Sequence, residues 1–261
     1  PIMAEGSSLQ QVDVLGVPVH CGDLARLMSE LSTGLARDER RVVVFLNPFC
    51  AMQQRRDPGY REALRAADWR LPDGMPVAWA ARWLGGRGVR RVPGPDVFDA
   101  LNAHAARAGL SVYFLGGAIP RNAERVAEAA RRAFPGLRVA GTWSPPTGPV
   151  DGELAERIIA DIARCRPDIL WVGLGSPRQE AWIHRYRERL AARLTLAVGG
   201  TFNYYNGTRT RAPRWMCRWG LEWAHRVIQD PALFRQKRFF AFGHEFLWPV
   251  GRQVVQRWMR W

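Results

Sequence analysis

The fold class is decided by one stretch, Ile169–Glu180, which reads ILWVGLGSPRQE. Residues 169–174 form a continuous apolar run without alternation, as in a strand that is buried on both faces of a sheet. A Gly-Ser-Pro turn follows at once, and residues 179–192 then have the pattern of a helix. A buried strand that leads into a helix is the repeating unit of a parallel sheet.

The same unit recurs along the chain. Further strands are predicted at Val42–Leu46, Val112–Leu115, Arg138–Ala140 and Leu194–Val198. Further helices are predicted at Ala51–Ala67, Pro120–Ala133 and Glu153–Cys165. This alternation predicts an α/β fold with a Rossmann-like, mainly parallel sheet and helices on both faces. The alternating stretch Val12–His20, which contains Gly16-Val17-Pro18, predicts an edge hairpin instead.

Composition divides the chain into two parts. Its 261 residues, 47% of them apolar, suffice for a large core domain, which we expect at residues 1–210. Residues 211–261 are expected to form a basic, tryptophan-rich helical appendage. The formal net charge of +14 indicates an anionic partner, which is nucleic acid, an acidic membrane or a phosphorylated substrate. Codon bias in a GC-rich genome explains most of the arginines equally well.

Cysteine usage and hydropathy exclude several classes of protein. The four scattered cysteines have no metal-ligand spacing, which argues against a disulfide framework or a zinc site. No apolar run approaches the roughly 20 residues that span a bilayer. Residues 1–11 do not have the pattern of a signal peptide. We therefore expect a cytoplasmic protein that meets the plasma membrane as a peripheral protein on its inner face.

The appendage has an amphipathic pattern. Residues 214–261 contain nine basic and three acidic residues, together with six of the twelve tryptophans. On a helix, a spacing of four residues places one set of tryptophans on a single stripe, namely Trp215, Trp219 and Trp223. A second stripe is predicted from Leu247, Val250, Val254, Trp258 and Trp261. Tryptophan and aliphatic side chains opposite arginine are suited to the headgroup region of a membrane.

Other interpretations of the two stripes are open. Most amphipathic helices pack on a protein core, and for the first stripe this interpretation is as good as the membrane. For the second stripe we favour the membrane. A basic and aromatic tail also suits nucleic acid, but no DNA- or RNA-binding motif accompanies it. The expected partner is therefore an anionic membrane surface, and we expect no nucleic acid.

Glycines end three of the predicted strands, at Gly116-Gly117, Gly173–Gly175 and Gly199-Gly200. Ligands of open parallel sheets bind at the carboxyl ends of strands, where glycine lets the backbone approach a phosphate group. Neither a full GxGxxG nor a P-loop is present, so the fingerprints of dinucleotide-binding proteins and ATPases are missing.

Two charged residues in predicted turns are candidate site residues. Asp73 lies in Leu71-Pro72-Asp73-Gly74, which we interpret as a turn after a helix, and an Asp-Gly pair is usually only a turn. Arg91 lies in RRVPGPD, residues 90–96, and is either a phosphate ligand or a solvated arginine.

In their order and spacing, eight segments resemble glycosyltransferase family 26, the bacterial N-acetylmannosaminyl- and N-acetylmannosaminuronic-acid transferase family, which includes xanthan-type exopolysaccharide glycosyltransferases. The segments are Asn47-Pro48, Pro72–Gly74, Arg91–Asp96, Phe114–Gly117, Gly173–Glu180, Val198–Phe202, Arg211–Pro213 and Gly220–Trp223. The resemblance covers residues 12–238 and, as an ordered set, is far more specific than any one segment.

The resemblance implies an inverting hexosyltransferase that moves a sugar from a UDP-sugar to a sugar on polyprenyl diphosphate in exopolysaccharide or cell-envelope polysaccharide biosynthesis. It implies that Asp73 is the catalytic base, that Asn47 positions the reacting sugar, and that Arg91 and Gln179 hold the donor. The implied donor site also includes Gly116, Gly117, Gly173, Gly175, Ser176, Gly200, Asn203, Arg211, Arg226 and Arg238. We expect no metal and no other cofactor, and members of the family form both oligomers and monomers.

Two positions depart from the family pattern. The family often has Thr-x-Asn where this chain has Phe45-Leu46-Asn47, and it often has Asp at the position of Asn203. These departures make a plain hexose such as glucose a serious option beside N-acetylmannosamine or its uronic acid. The alternative function is a non-catalytic nucleotide-binding α/β module with a tail that binds RNA or a protein.

Overall fold

A computed structural model describes residues 9–117, 119–229 and 242–259. The strands are β1 (Gln11–Val14), β2 (Val17–His20), β3 (Arg41–Leu46), β4 (Trp69–Pro72), β5 (Ser111–Gly116), β6 (Arg138–Trp143), β7 (Ile169–Gly173) and β8 (Leu194–Ala197). The helices are α1 (Leu24–Ala36), α2 (Pro48–Arg56), α3 (Pro58–Ala66), α4 (Met75–Trp83), α5 (Gly94–Ala108), α6 (Asn122–Ala133), α7 (Gly152–Cys165), α8 (Arg178–Tyr186), α9 (Phe202–Tyr205), α10 (Arg214–Arg218), α11 (Glu222–Gln229) and α12 (Trp248–Trp258). Short 3-10 turns occur at Arg187–Arg189 and Gly199–Thr201, and a π-helical turn at Phe242–Leu247 precedes α12.

Six strands form one sheet in the order β4-β3-β8-β7-β5-β6. Every neighbouring pair is parallel, so all six strands point the same way. The predicted α/β fold is confirmed, and the continuous apolar runs did identify strands that are buried on both faces.

Helices cover both faces of this sheet, and each face has its own apolar core. Side chains alternate along β3, so that Val42, Val44 and Leu46 pack on one face and Val43 and Phe45 on the other. The face of Val44 is covered by α2, α3, α4, α7, α8 and α12. The face of Val43 is covered by α1, α5 and α6. Helix α12 of the appendage thus packs on the same side of the sheet as α4.

The predicted hairpin is confirmed as a separate two-stranded sheet of β1 and β2. Its turn uses Leu15 and Gly16 at φ values of 55° and 95°, the left-handed region that glycine enters at little cost. The hairpin meets the edge of the main sheet where His20 Nδ1 accepts a hydrogen bond from the backbone N–H of Arg70 at 3.1 Å.

Two predictions in the first third of the chain were wrong. The single helix predicted at 51–67 is two helices, because Pro58 begins α3 and Asp57 caps it by accepting a hydrogen bond from the N–H of Tyr60. The turn predicted around Pro72 follows a strand, β4, and not a helix. The strand was not predicted because Arg70 interrupts its apolar pattern. In the structure this arginine is buried and donates from Nε to the carbonyl oxygen of Pro18 at 2.6 Å.

The structure differs from the prediction at both stripes of the appendage. The first lies on two helices and not one, because Gly220, at a φ of 73°, separates α10 from α11. In the second, Val250 is fully buried and Val254 packs on the core, so the prediction that this whole stripe faces a membrane is wrong. Trp261 lies outside the described residues. None of the helices in the described ranges combines the length and the apolarity needed to cross a bilayer.

The ends of β5 and β7 are closed by the ring of Phe202, the first residue of α9. A Cβ atom at Gly116 would lie 2.6 Å from this ring, and one at Gly173 would lie 2.5 Å from it. These two glycines are therefore required by packing against a buried aromatic side chain, whatever else binds near them.

We expect Gly173→Ala to lower the free energy of unfolding by about 1–3 kcal/mol, because the added methyl group overpacks the Phe202 ring. The matched control is Gly200→Ala, since a Cβ there meets nothing within 4 Å. Urea unfolding of the two variants measures the difference. Equal midpoints would contradict this account of Gly173.

Candidate active site

Three predicted site residues lie on neighbouring segments at the carboxyl ends of β3 and β4. The backbone N–H of Asp73 donates to the carbonyl oxygen of Leu46 at 3.0 Å, which places Asp73 beside Asn47. The N–H of Val92 donates to the carbonyl oxygen of Pro72 at 2.8 Å, which brings the Arg91 segment alongside. Asn47, Asp73 and Arg91, which are separated in sequence, therefore meet at one edge of the sheet.

Asn47 and Asp73 are held by the helices that follow them. The Asn47 side chain accepts a hydrogen bond from the N–H of Cys50 at 3.0 Å and caps α2. Asp73 is half-buried and immediately precedes Gly74, the cap residue of α4. A Cβ atom at Gly74 would lie 2.9 Å from Cδ of Pro48, so the close approach of the two turns requires glycine there. This packing fixes the spacing between Asn47 and Asp73.

Arg91 forms a largely buried ion pair with the appendage. Its Nη1 atom lies 2.8 Å from Oε2 of Glu222, and the two side chains are 13% and 7% exposed. The hydroxyl of Tyr204 donates to the other carboxylate oxygen of Glu222 at 3.1 Å. The interpretation of Arg91 as a solvated arginine is therefore wrong, and its role as a phosphate ligand stays a prediction. Glu222 begins α11, so this pair joins the appendage directly to the site.

Arg211 makes a second connection between the appendage and the core. Its Nη2 atom pairs with Asp96, and its Nη1 atom lies 3.6 Å from a carboxylate oxygen of Asp99. Both acids lie in α5, the helix that follows the Arg91 segment, and the hydroxyl of Tyr205 also donates to Asp99. The start of the appendage is therefore fixed on α5 by charge.

Gln179 lies below the loop that follows β7, where it is 2% exposed. Its Oε1 atom accepts a hydrogen bond from the N–H of Gly175 at 3.2 Å. Its Nε2 atom donates to Ser176 Oγ at 3.2 Å, to Glu180 Oε1 at 2.9 Å and to the carbonyl oxygen of Ala197 at 3.1 Å. In this structure Gln179 therefore joins the loops after β7 and β8, and a contact with the donor stays a prediction.

Glu180 is a buried carboxyl group beside this loop. Ser176 Oγ donates to its Oε1 atom at 2.6 Å. Burial raises the pKa of Glu180, and the hydrogen bonds from Ser176 and Gln179 oppose that rise. The carboxyl group fixes the position of Ser176, which is one of the predicted donor-binding residues.

A cleft of about 350 Å³ opens beside Gly117, next to the carboxyl ends of β5 and β7. It is lined by proline, arginine and aromatic side chains, among them Pro145, Arg178, Trp182, Arg185 and Tyr186. An apolar cleft with two arginines is suited to a planar ring that carries phosphate. Of the predicted donor-binding residues, Gly117 lines this cleft.

The other predicted residues lie around the same edge of the sheet. Gly175 has a φ of 82°, and Gly200 is exposed in the turn after β8. Asn203 is half-buried in α9. Arg226 belongs to α11, but its side chain is outside what the structure describes, and Arg238 lies outside the described residues altogether.

The sequence did not predict the contacts that Glu222 and Glu180 make with the candidate site residues. Glu222 was noted within Gly220–Trp223, but no periodicity connects it with Arg91, which lies 131 positions earlier. Glu180 was noted only as the last residue of the segment Gly173–Glu180. Its burial depends on contacts between elements that the sequence does not pair.

Comparison with known proteins identifies relatives over most of the chain. The sequence model of the family described as "Glycosyl transferase WecG/TagA/CpsF family" matches residues 12–260. An N-acetylglucosaminyldiphosphoundecaprenol N-acetyl-beta-D-mannosaminyltransferase of Bacillus spizizenii is 34% identical over 217 residues, which cover 82% of this chain and 81% of that protein. The protein of the same name from Bacillus subtilis is 33% identical and covers 77% and 75%. Its namesake from Staphylococcus aureus is 25% identical and covers 87% of both chains.

We expect Glu222→Ala to lower the free energy of unfolding by about 3 kcal/mol, because it leaves the guanidinium group of Arg91 buried without its charge partner. Urea unfolding of Glu222→Ala, Arg91→Ala and the double variant gives the coupling energy between the two side chains. The control is Glu156→Ala, which breaks an exposed pair with Arg189 and should move the midpoint far less. Strict additivity at Arg91 and Glu222 would show that the pair does not connect appendage and core.

Glu180 should make the stability of the protein depend on pH. Because its pKa is raised in the folded state, the unfolded chain ionises first, and stability falls as pH rises above the ordinary glutamate pKa. Glu180→Gln does not titrate and can still accept from Ser176. Its free energy of unfolding relative to the wild type should therefore increase from pH 5 to pH 8, by up to about 1.4 kcal/mol per pH unit. Urea unfolding across that range tests this, and a constant difference would contradict it.

Proposed function

Because the chain belongs to the WecG/TagA/CpsF family of glycosyl transferases, we propose that it transfers a hexose from a UDP-sugar to a sugar linked to polyprenyl diphosphate. The observation that carries this proposal is the meeting of Asn47, Asp73 and Arg91 at one edge of the sheet, with Glu222 of the appendage paired to Arg91. A carboxylate, an amide and a guanidinium group provide a base, a sugar ligand and a cation for phosphate.

The proposed reaction is a single displacement with inversion. The carboxylate of Asp73 takes the proton of the acceptor hydroxyl group while that oxygen attacks the anomeric carbon. The bond from this carbon to the phosphate oxygen breaks, and UDP leaves with the bonding electron pair. Arginine side chains near the diphosphate stabilise the charge that develops there, and Arg91 and Arg211 are candidates among the described residues. The nucleotide sugar is a substrate in this scheme, which uses no metal and no other cofactor.

The relatives favour a particular acceptor and donor. Their names describe transfer of N-acetylmannosamine to N-acetylglucosaminyl diphosphoundecaprenol. We propose the same kind of acceptor for this chain, in cell-envelope or exopolysaccharide biosynthesis. Phe45 and Asn203 depart from the family pattern, so UDP-glucose and the mannosaminuronic acid donor belong beside UDP-N-acetylmannosamine in a screen for UDP release.

We propose that the protein works at the inner face of the plasma membrane, where such an acceptor lies. Support comes from the chemistry of the appendage, which exposes Trp215, Trp219, Trp223 and Trp258 by 52–74%. Six of the fourteen net positive charges lie in residues 214–261. Exposed tryptophan and arginine together favour a headgroup layer with anionic lipids.

We expect Asp73→Asn to lower turnover by a factor of about 100 or more, since the amide cannot accept the proton of the acceptor. Turnover is measured as UDP release with the donor that the screen identifies and a polyprenyl-diphosphate-linked N-acetylglucosamine. Binding of UDP, measured by calorimetry, should persist because the amide has the size of the carboxylate.

The control for this substitution is Asp23→Asn, which makes the same chemical change at the cap of α1, where asparagine caps equally well. It should leave turnover close to that of the wild type. Full turnover of Asp73→Asn would refute the proposed base. Binding of RNA by the wild type, with no UDP release from any donor, would support the non-catalytic alternative instead.

A further inference from the structure

Large apolar side chains are exposed in only three segments of the described chain. The exposed ones are Trp79, Trp83, Trp215, Trp219, Leu221, Trp223, Ile228, Leu247, Trp248, Val255, Trp258 and Met259. Ten of them belong to the appendage, in residues 215–228 and 247–259. The other two lie in α4, a helix of the core domain. Soluble proteins rarely leave such side chains together in water unless that surface binds something.

Helix α4 contacts both appendage segments. At its start, the side chain of Met75 lies against Gly220, where a Cβ atom would be 2.6 Å from Met75 Cγ. Just after its end, Gly85 lies against the guanidinium group of Arg257 in α12, where a Cβ atom would be 2.9 Å from Nη2. The helix thus connects the α10–α11 segment with α12. We call the exposed apolar side chains of these three segments the tryptophan surface.

The charge around α4 indicates what covers it. Residues 74–95 contain four arginines and no acidic residue. Three of them, Arg82, Arg87 and Arg90, are exposed, and the fourth is the paired Arg91. Within α12, the guanidinium group of Arg252 lies 5.9 Å from the ring centre of Trp248. Tryptophan next to arginine, with no acid between, is complementary to anionic lipid headgroups and acyl chains.

We propose that α4 is a membrane-docking helix of the core domain, inserting Trp79 and Trp83 into the headgroup layer of an anionic bilayer between the two appendage segments. This deepens the proposed function and rests on it, since a lipid-linked acceptor supplies the reason for a bilayer. Asp73 lies two residues before α4. At a rise of about 1.5 Å per residue, Trp79 is only about 9 Å further along. An acceptor with its chain in the bilayer can therefore present a sugar hydroxyl at Asp73.

The test compares Trp79→Ala/Trp83→Ala with the wild type in the full-length protein. Co-sedimentation is measured with vesicles of phosphatidylethanolamine and phosphatidylglycerol, and with vesicles of phosphatidylcholine alone. We expect the double variant to bind the anionic vesicles about tenfold more weakly or worse. Trp79→Phe/Trp83→Phe should recover much of the binding. The control Trp143→Ala removes a half-buried tryptophan from β6, at the opposite edge of the sheet from β4, and should bind like the wild type.

A second measurement separates this proposal from the proposed function. Turnover is compared on a polyprenyl acceptor in vesicles and on a short-chain, water-soluble analogue, and the ratio of the two rates should fall about tenfold in the alanine variant. No turnover of the wild type on either acceptor refutes the proposed function, whereas sedimentation still tests α4. Unchanged vesicle binding of the alanine variant refutes the role of α4. If analytical ultracentrifugation shows that the wild type is an oligomer and the alanine variant is not, and the variant still binds vesicles, the tryptophan surface joins copies of this chain.

Discussion

All six strands of the main sheet run in one direction, and the site depends on this constraint. In a parallel sheet every turn from a strand to the following helix lies at the same edge. Asn47, Asp73, Gly117, Gly175 and Gly200 follow five different strands, and they come together only because those strands are parallel. If any one of these strands were antiparallel, the turn that follows it would lie at the other end of the strands, away from the remaining four turns.

Ion pairs connect the appendage to the residues at the carboxyl ends of the strands. Arg91 and Glu222 form a largely buried pair, and a buried pair is stable only if its geometry is good and its remaining atoms find partners. Tyr204 supplies such a partner for Glu222. Arg211 meets the acids of α5 in a similar way. A movement of α11 would therefore change the surroundings of Arg91, so that docking of the appendage is coupled to the state of the arginine that we propose for phosphate binding.

The sequence predicted the strands that are buried on both faces, because an apolar run such as Ile169–Gly173 has one interpretation once helices surround it. It did not predict β4, an edge strand with an arginine inside it and a proline at its end. Arg70 can lie there because its guanidinium group reaches backbone carbonyl groups. The site was predicted from motifs, residue by residue. The partners that fix those residues, such as Glu222 for Arg91, depend on tertiary contacts across more than a hundred positions.

The strand order also limits how the proposed substrates can lie. Asp73 follows β4, and the glycine loop at Gly175 follows β7, with β3 and β8 between them. Three strand spacings of about 4.8 Å separate the two by about 14 Å. Inversion requires the acceptor oxygen and the leaving phosphate on opposite sides of the anomeric carbon. In the proposed reaction the acceptor arrives at the β4 side, next to α4, and the nucleoside of the departing UDP extends toward β7. The transferred sugar then lies over the ends of β3 and β8, where Asn47 is the first side chain beyond β3.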